Sequence, residues 1–323
     1  MPITGGGRNT GHFAAFVTRT AISTDGDLNT SKKGDIQMIT ESHSVSRRSV
    51  LTGVGVAALA GAAATSTSAE AAASKPLAGK VAIVSGARNN MGRAFAVNLG
   101  SMGADVVVHY HRAETRDQAE ETVRLVEAEG ARAALTMGDL GQAENVRAMY
   151  DTAERAFGGV DIVLNNAGAI LKKPLAEFSD DEFERLDAIN NRGLFYSLRE
   201  AALRVRDGGR IINTGTSLLA GAAPGYTIYS GTKAPVEEYT RMLAKELGAK
   251  RITVNSFAPG PVDTPFFHGQ ETEQSAAYAA RLSTEQRLAL VEDIVPIVAF
   301  LASPESQWVN GQTVWINGGY LTR

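Results

Sequence analysis

A tyrosine and a lysine, Tyr229 and Lys233, stand four residues apart in a stretch predicted to be helical. This i, i+4 spacing puts both side chains on one face of a helix. A phenol with a pKa of about 10 transfers protons poorly at neutral pH unless its surroundings change that value. A neighbouring ammonium favours the phenolate and lowers the pKa, which would suit the phenol to acid–base work. The pair therefore predicts proton exchange with a substrate oxygen; the alternative is a core tyrosine beside a surface lysine.

Two hydroxyl groups, those of Thr216 and Ser217, follow the fifth predicted strand and precede the tyrosine. A hydroxyl both donates and accepts hydrogen bonds, so either one could bind the carbonyl oxygen of a substrate. The residue types and their position leave both candidates open.

A glycine-containing loop follows the first predicted strand and opens a helix. Gly86 provides a tight turn, and Gly92 lets the helix and the strand pack closely. The free N–H groups and the positive dipole end of such a helix attract a pyrophosphate. Asn90, between the two glycines, tolerates left-handed backbone angles better than most residues. We therefore expect a dinucleotide phosphate site that includes Ser85, Gly86, Arg88, Asn90, Met91 and Gly92.

The end of the second predicted strand indicates which dinucleotide binds. NAD-dependent enzymes of this architecture place an acid there to hold the ribose 2′-hydroxyl. Tyr110 occupies the position instead, flanked by His109, His111 and Arg112. A 2′-phosphate favours cationic, planar donors, which Arg112 supplies and Arg88 could add. The sequence therefore predicts NADP, with NADPH preferred over NADH; a solvated arginine after a strand is the alternative.

Short apolar strands alternate with helix-length amphipathic segments from residue 80 onward. Strands are predicted over residues 81–85, 105–110, 133–136, 161–164, 210–213, 253–257 and 313–316. Helices are predicted over 118–129, 144–157 and 182–205, the last with a capping box from Ser179 and Glu182. This alternation indicates right-handed crossovers that leave ligands at the carboxyl ends of the strands. The predicted fold class is α/β, a single Rossmann-type doubly wound parallel sheet of about seven strands with helices on both faces.

Composition narrows the classes of protein further. The 323 residues carry 32 Lys and Arg against 35 Asp and Glu, a net charge of −3, which argues against a nucleic-acid partner. No apolar run reaches roughly 18 residues, so no stable membrane anchor is expected. Cysteine is absent, which excludes disulfides and thiolate chemistry, and the five histidines lack metal-ligand spacing, so no metal site is predicted.

The N-terminal region has the composition of a tail and an export signal. Residues 1–45 are rich in Gly, Thr, Ser and Asp without a period, so they are predicted to be disordered or to contain a mis-assigned start, with Met38 as the true start and residues 1–37 before it. Residues 46–71 contain a twin arginine, a short apolar core and an Ala-Glu-Ala site, which predicts a twin-arginine signal peptide. The folded domain is then expected over residues 78–323, periplasmic or exported, or cytoplasmic if the signal is not used.

Several motifs, in order, resemble those of the classical type of short-chain dehydrogenase/reductase over about residues 78–320. The glycine loop resembles the family's T-G-x-x-x-G-x-G, with Ser85 for the Thr and Asn90 for the middle Gly. Tyr229 to Lys233 matches its Y-x-x-x-K. Further matches are Asp139-Leu140, Asn165-Asn166-Ala167-Gly168, Pro259-Gly260, Val262, Thr264 and residues 311–319.

The resemblance implies cofactor contacts for many of these residues. Those implied at the adenine ring and the adenosine ribose are Asp139, Leu140, Asn166, Ala167 and Gly168. Those implied at the nicotinamide carboxamide and its turn are Pro259, Gly260, Val262 and Thr264. Tyr229 would lie beside the nicotinamide, and Lys233 would hold its ribose hydroxyls.

The resemblance also implies a catalytic set around Tyr229. The family's serine lies 13 residues before the tyrosine, which is Thr216 here, while residue type favours Ser217. Asn190 matches the family's helix asparagine, which fixes a water leading to the lysine. Lys233 would lower the pKa of Tyr229.

Hydride transfer between a nicotinamide and a small-molecule substrate is the implied function. The expected enzyme is an NADPH-dependent carbonyl reductase or alcohol dehydrogenase acting on a ketone or aldehyde, with a general resemblance to 3-oxoacyl reductases. The run at 109–112 also resembles pteridine reductases, although those have an Asp where Thr216 stands. A catalytically silent dinucleotide-binding sensor or scaffold is the other alternative.

Assembly and a substrate lid complete the expectations. The resemblance implies a homotetramer or homodimer built through helices around 182–205 and 229–247. Residues 261–292 lie where the family has its lid, which closes over substrate. Phe266, Phe267, His268 and Tyr278 could line the pocket beneath it.

Overall fold

A single parallel sheet of seven strands organises residues 75–322, the part of the chain that the computed structural model describes. The strands are Val81–Val84 (β1), Asp105–Tyr110 (β2), Ala133–Met137 (β3), Val160–Asn165 (β4), Val205–Thr214 (β5), Thr253–Pro259 (β6) and Thr313–Ile316 (β7). Their order is β3-β2-β1-β4-β5-β6-β7, and all neighbouring pairs run parallel. The fold class predicted from the sequence is confirmed.

Each predicted strand is present, and the largest difference in bounds is at the start of β5. The sequence predicts a start at residue 210, whereas the strand begins at Val205. Val205 pairs with Val160, and the register then shifts before Arg210 pairs with Ile162. The polar and glycine residues between 206 and 209 interrupt the apolar pattern, so the pattern does not indicate this first pairing.

Helices cover both faces of the sheet. Within residues 75–322 the α-helices are Asn90–Ser101 (α1), Arg116–Ala128 (α2), Ala143–Phe157 (α3), Asp180–Asp187 (α4), Gly193–Arg204 (α5), Thr227–Lys233 (α6), Pro235–Glu246 (α7), Pro265–His268 (α8), Glu273–Leu282 (α9) and Val291–Ala302 (α10). One core contains side chains of α1, α2 and α10, and the other contains side chains of α3, α5 and α7. Strands buried on both faces need near-continuous apolar runs, which explains the sequences of β1, β2 and β4.

The helix predicted over residues 182–205 is present as one helical run, but a π-helical turn interrupts its α-helical geometry. The helix α4 ends at Asp187, a π-helical turn spans Ala188–Arg192, and α5 begins at Gly193. The side chain of Asn190, within this turn, hydrogen-bonds the backbone of Ala169. The π-helical turn contains one residue more than an α-helical turn, and this places Asn190 beside the loop that contains Ala169. The predicted capping box at Ser179 and Glu182 is present at the start of α4.

The described residues contain no helix long and apolar enough to cross a membrane. In residues 75–322 no group of three or more metal-ligating side chains comes together. The predicted tail at 1–45 and the predicted signal at 46–71 lie outside the described residues.

Candidate active site

A cavity of about 760 Å³ opens at the carboxyl ends of the strands, where the strand order reverses between β1 and β4. Doubly wound sheets bind their ligands at this point. The residues at 86–92, 109–112 and 139–140 line one part, which we call the cofactor end. Every predicted cofactor-binding residue except Ser85 lines the cavity. The cofactor-binding residues predicted from separate parts of the sequence therefore lie around one site.

The glycine loop has the strained geometry that a phosphate cradle requires. Gly86 has φ of 65°, and Asn90 has φ of 46°, so Asn90 adopts the left-handed conformation in place of the family's glycine. A Cβ on Gly92 would lie 2.2 Å from the carbonyl oxygen of Gly86, so only glycine fits there. The loop leads into the N-terminus of α1, whose free N–H groups face the cavity.

The Ser85 side chain does not line the cavity but fixes the loop through hydrogen bonds, so its assignment as a direct cofactor contact is corrected. Its hydroxyl oxygen accepts hydrogen bonds from the backbone N–H groups of Asn166 and Ala167, both at 3.0 Å. The side chain of Asn166 in turn donates to the carbonyl oxygens of Ser85 and Gly86. These bonds join the ends of β1 and β4, and Ser85 is 3% exposed.

His109 borders the cavity, but both of its ring nitrogens bind the protein backbone. Nδ1 accepts from the N–H of Gly86 at 3.1 Å, and Nε2 lies 2.9 Å from the carbonyl oxygen of Gly138. Burial lowers the pKa of His109 to about 4, which keeps the ring neutral and leaves Nδ1 free to accept. His109 therefore positions the glycine loop and offers no ring nitrogen to a phosphate, which corrects its predicted role.

Two arginines form a basic rim at the cofactor end. Arg88 in the glycine loop hydrogen-bonds the side chain of Gln118. Arg93 donates to the Arg88 carbonyl oxygen at 2.8 Å and so fixes the loop behind it. Arg112 is exposed and lines the cavity beside the buried Tyr110. Arg88 and Arg112, the two cations predicted from the sequence, therefore lie in the same rim as His111.

The walls between the two ends are formed by the predicted turn residues. Asp139 accepts the N–H of Gly141 at 2.9 Å, which fixes the turn after β3 that carries Leu140. Gly260 lies against Asn317, where a Cβ would come within 2.9 Å of that side chain. Thr264 donates to the carbonyl oxygen of Val262 at 3.3 Å at the start of α8. Residues 139–140 follow β3 and residues 259–264 follow β6, so the two segments border the same cavity from opposite sides of the point where the strand order reverses.

Tyr229 and Lys233 are buried side by side on α6, at 6% and 4% exposure. The Lys233 ammonium donates to the carbonyl oxygen of Thr214 at 2.9 Å. Burial raises the pKa of Tyr229 to about 12, and a hydrogen bond with Thr216 acts in the opposite direction. Burial also lowers the pKa of Lys233 to about 8. The sequence predicts a lowered tyrosine pKa, and this is wrong because burial of the phenol has the larger effect.

The two candidate hydroxyls have different surroundings. Both residues line the cavity, and a hydrogen bond with Thr216 lowers the pKa of Tyr229. Ser217 donates to the carbonyl oxygen of Ala258 at 3.1 Å and accepts from the amide of Asn317 at 3.2 Å. Ser217 therefore joins the end of β6 to the C-terminal turn, whereas the Thr216 hydroxyl accepts only the nearby N–H of Leu218, at 3.3 Å, among the backbone groups.

Asn190 is buried behind the lysine. Its amide oxygen accepts the N–H of Ala169, and its amide nitrogen donates to the Ala169 carbonyl and to Thr232. A small cavity of about 20 Å³, bordered by Asn190, Lys233 and Thr214, lies beside it. A space of this size holds about one water. The arrangement brings Asn190 to the lysine as the sequence predicts.

Aromatic side chains line the other part of the cavity, which we call the substrate end. Phe266, Phe267 and Tyr278 line it as considered from the sequence, while His268 instead pairs with Asp263 at the exposed surface. The ring of Phe266 lies 6.5 Å from that of Tyr229. The predicted lid segment thus supplies apolar walls directly beside the phenol.

Sequence reasoning missed three polar residues at the substrate end, namely Lys172, Tyr226 and Glu271. Tyr226 lies three residues before Tyr229, a spacing that shares a helix face and could have indicated it. Lys172 and Glu271 are separated by 99 residues and meet only in the fold, so no local signal reveals them.

These observations define a class of protein. A phosphate loop at the switch point of a doubly wound sheet, a basic rim and a buried Thr–Tyr–Lys set make a nicotinamide-dinucleotide-dependent oxidoreductase. The same cavity contains both the cofactor end and an aromatic substrate end.

Comparison with known proteins identifies the family. A family model described as enoyl-(acyl carrier protein) reductase matches residues 86–321. A short-chain type dehydrogenase/reductase of Picea abies is 43% identical over 255 residues, 76% of this chain and 93% of its own length. A protein of Metarhizium brunneum described as hydroxynaphthalene reductase-like is 35% identical over 261 residues, 77% of this chain and 97% of its own length. This chain belongs to the short-chain dehydrogenase/reductase family.

Solved structures agree with this assignment. A crystal structure of an angucycline C-6 ketoreductase with bound NADP has a TM-score of 0.71 and 34% sequence identity, covering 76% of this chain and 97% of that chain. The protein is accordingly an NAD(P)-dependent oxidoreductase of the carbonyl-reducing kind found among these relatives.

Proposed function

We propose that this protein is an NADPH-preferring reductase that converts a bulky aromatic ketone to its alcohol. The observation that carries the proposal is the buried Thr216–Tyr229–Lys233 set between a basic cofactor end and an aromatic substrate end. Such a set combines a hydrogen-bond donor for the carbonyl with a proton source for the alkoxide.

The residues of the cofactor end fit NADPH. The N-terminus of α1 and the left-handed turns at Gly86 and Asn90 suit the pyrophosphate. Arg88 and Arg112 suit a 2′-phosphate, and the buried tyrosine at the end of β2 leaves no carboxylate there to hold a 2′-hydroxyl. Bound NADPH would supply the hydride, and Lys233 would hold its nicotinamide ribose.

Tyr229 suits the role of proton donor. Burial raises its pKa to about 12, so the phenol is protonated at neutral pH and can give its proton to a developing alkoxide. Thr216 would hydrogen-bond the carbonyl oxygen as negative charge builds up on it. Proton resupply to Tyr229 would run through the small cavity beside Asn190 to Lys233 and from there to the phenol.

The substrate end favours a flat, cyclic ketone. Rings of Tyr226 and Phe266 flank Tyr229 at 6.1 and 6.5 Å in tilted and edge-to-face arrangements, so aromatic surface is available to a planar ligand. The relative described as hydroxynaphthalene reductase-like is consistent with such a substrate. A 3-oxoacyl thioester is the second candidate, since the matching family model, described as enoyl-(acyl carrier protein) reductase, points to acyl groups carried as thioesters.

The test is NADPH oxidation by the purified full-length chain, followed by absorbance, with 2-tetralone and with the N-acetylcysteamine thioester of acetoacetate. We expect turnover of the tetralone at a kcat/KM at least about tenfold above that of the thioester. Preferred turnover of the thioester would make the protein a 3-oxoacyl reductase. NADPH binding without turnover of either ketone would support a silent scaffold and overturn the proposal.

Export and self-assembly are parts of the same proposal. The twin-arginine pattern at 46–71 supports export, and since that route carries folded proteins, the dinucleotide would travel inside the enzyme. Cell fractionation with an Arg47→Lys/Arg48→Lys control tests this, and retention of wild type in the cytoplasm would contradict it.

The exposed apolar side chains Phe195, Leu203 and Met242 on α5 and α7 support a homodimer or homotetramer, which light scattering measures.

A further inference from the structure

Three polar side chains from separate segments meet at the substrate end. Lys172 lies in the loop after β4, Tyr226 directly precedes α6, and Glu271 connects α8 with α9. The Lys172 ammonium is 2.5 Å from a Glu271 carboxylate oxygen, and the Tyr226 hydroxyl donates to the other oxygen of that carboxylate. All three line the cavity. We call these three residues the polar clamp.

The clamp is largely shielded from solvent, and its charges balance. The side chain of Glu271 is 6% exposed and that of Lys172 is 27% exposed. Burial would raise the pKa of Glu271, but hydrogen bonds, led by that from Lys172, hold it below its ordinary value. A neutral ion pair does not recruit a free anion, because the carboxylate offsets the ammonium. It suits a neutral group that both accepts and donates hydrogen bonds.

The clamp retains hydrogen-bonding capacity toward the cavity. An ammonium has three donors, and for Lys172 one is directed to Glu271 while its charge lies 5.1 Å above the ring of Tyr226. Each carboxylate oxygen of Glu271 can accept more than one bond. The remaining donors and lone pairs can receive one hydroxyl group of a ligand, as acceptor from Lys172 and donor to Glu271.

The clamp is also fixed relative to the reacting group. The ring of Tyr226 lies 6.1 Å from that of Tyr229. The Lys172 backbone N–H donates to the side chain of Gln270 at 2.8 Å, and the neighbouring Lys173 N–H donates to the Gly225 carbonyl at 3.0 Å. A planar ligand held beside Tyr229 would therefore extend toward the clamp.

We propose that Lys172 and Glu271 determine specificity by binding a hydroxyl group of the substrate remote from its reacting carbonyl, so that the enzyme selects hydroxylated aromatic ketones. This inference rests on the proposed carbonyl reduction and names the substrate class for the same site. Tyr226 is a positioning residue, because its hydroxyl orients the Glu271 carboxylate.

The test compares substrates that differ only in a hydroxyl group. Full-length wild type is assayed with NADPH on 2-tetralone and on the four isomeric derivatives that carry one hydroxyl group on its aromatic ring. The double variant K172M/E271Q removes both charges together, because removing one partner alone would leave the other charge buried and unpaired. Lys173→Met is the matched control, since Lys173 pairs with Glu182 and does not line the cavity.

We expect at least one hydroxylated isomer to exceed 2-tetralone in kcat/KM by about tenfold or more in wild type and in K173M. In K172M/E271Q this ratio should fall to about one. A merely structural role for the pair would lower turnover of all substrates together. An unchanged ratio in the double variant would overturn the inference.

Binding without turnover separates this inference from the proposed function. The protein with NADP⁺ is titrated calorimetrically with 2-naphthol and with 2-methoxynaphthalene, whose ether cannot donate a hydrogen bond. We expect naphthol to bind about tenfold more tightly, and this preference should vanish in K172M/E271Q. Naphthol preference without ketone turnover would overturn the proposed reaction and keep the clamp, whereas ketone turnover without any hydroxyl preference would do the reverse.

Discussion

The cofactor end and the substrate end of the cavity are held together by different kinds of contact. At the cofactor end, neutral hydrogen bonds from Ser85 and His109 join backbone groups of adjacent strand ends. At the substrate end, an ion pair between Lys172 and Glu271 joins segments that are remote in sequence. The first arrangement lies at the strand ends of the sheet, where the dinucleotide would bind, whereas the second joins loop segments, which can vary with the substrate.

The substitution Tyr229→Phe should have the largest effect and should separate chemistry from binding. It removes the proton donor and leaves the ring packing and the cofactor end intact, so kcat should fall by about a thousandfold. NADPH affinity, measured by fluorescence titration, should stay within about threefold of wild type. Residual activity within tenfold of wild type would exclude Tyr229 as the proton donor.

Thr216→Ala and Ser217→Ala should differ, although the two residues are adjacent. Loss of the Thr216 hydroxyl should reduce kcat by about a hundredfold, because a donor to the developing oxyanion is lost. Ser217→Ala should keep kcat within about threefold and lower the melting temperature, because two buried hydrogen bonds are lost. Steady-state kinetics and thermal unfolding of both variants decide the assignment, and the opposite pattern would transfer the role to Ser217.

Gly92→Ala should damage the cofactor end alone. The new Cβ would overlap the Gly86 carbonyl oxygen, so the loop must shift and NADPH affinity should fall by about thirtyfold. Gly248→Ala is the matched control, because a Cβ there meets nothing within 4 Å. The dissociation constants of both variants are measured by fluorescence. Equal affinities would show that Gly92 has no part in the phosphate cradle.

The pH dependence of reduction should report on Lys233. Its pKa is lowered to about 8, so the ammonium is present below that pH and is lost above it, while Tyr229 stays protonated until about pH 12. The rate of reduction should therefore be level below pH 7 and fall as the pH rises through about 8. A profile of kcat/KM from pH 6 to 10 tests this, and Lys233→Met should give a low profile without that step.

The sequence predicts the cofactor end well because its signals are local. Turn residues such as Gly86, Asn90 and Gly92 follow a strand directly, and their backbone requirements are visible in the residue types. The roles of Ser85 and His109 could not be predicted, because their partners belong to other strands. The pKa of Tyr229 depends on burial, which a local pattern does not give, and the polar clamp depends on pairing across 99 residues.

The most direct test of the account is a fluorescence titration of the full-length protein with NADPH and, separately, with NADH. Wild type should bind NADPH at least about tenfold more tightly than NADH, because Arg88 and Arg112 line the cofactor end and would pair with a 2′-phosphate. The variant R88A/R112A should lose this preference, while Arg124→Ala on the outer face of α2 should retain it. Tighter binding of NADH by wild type, or no binding of either dinucleotide, would contradict the account.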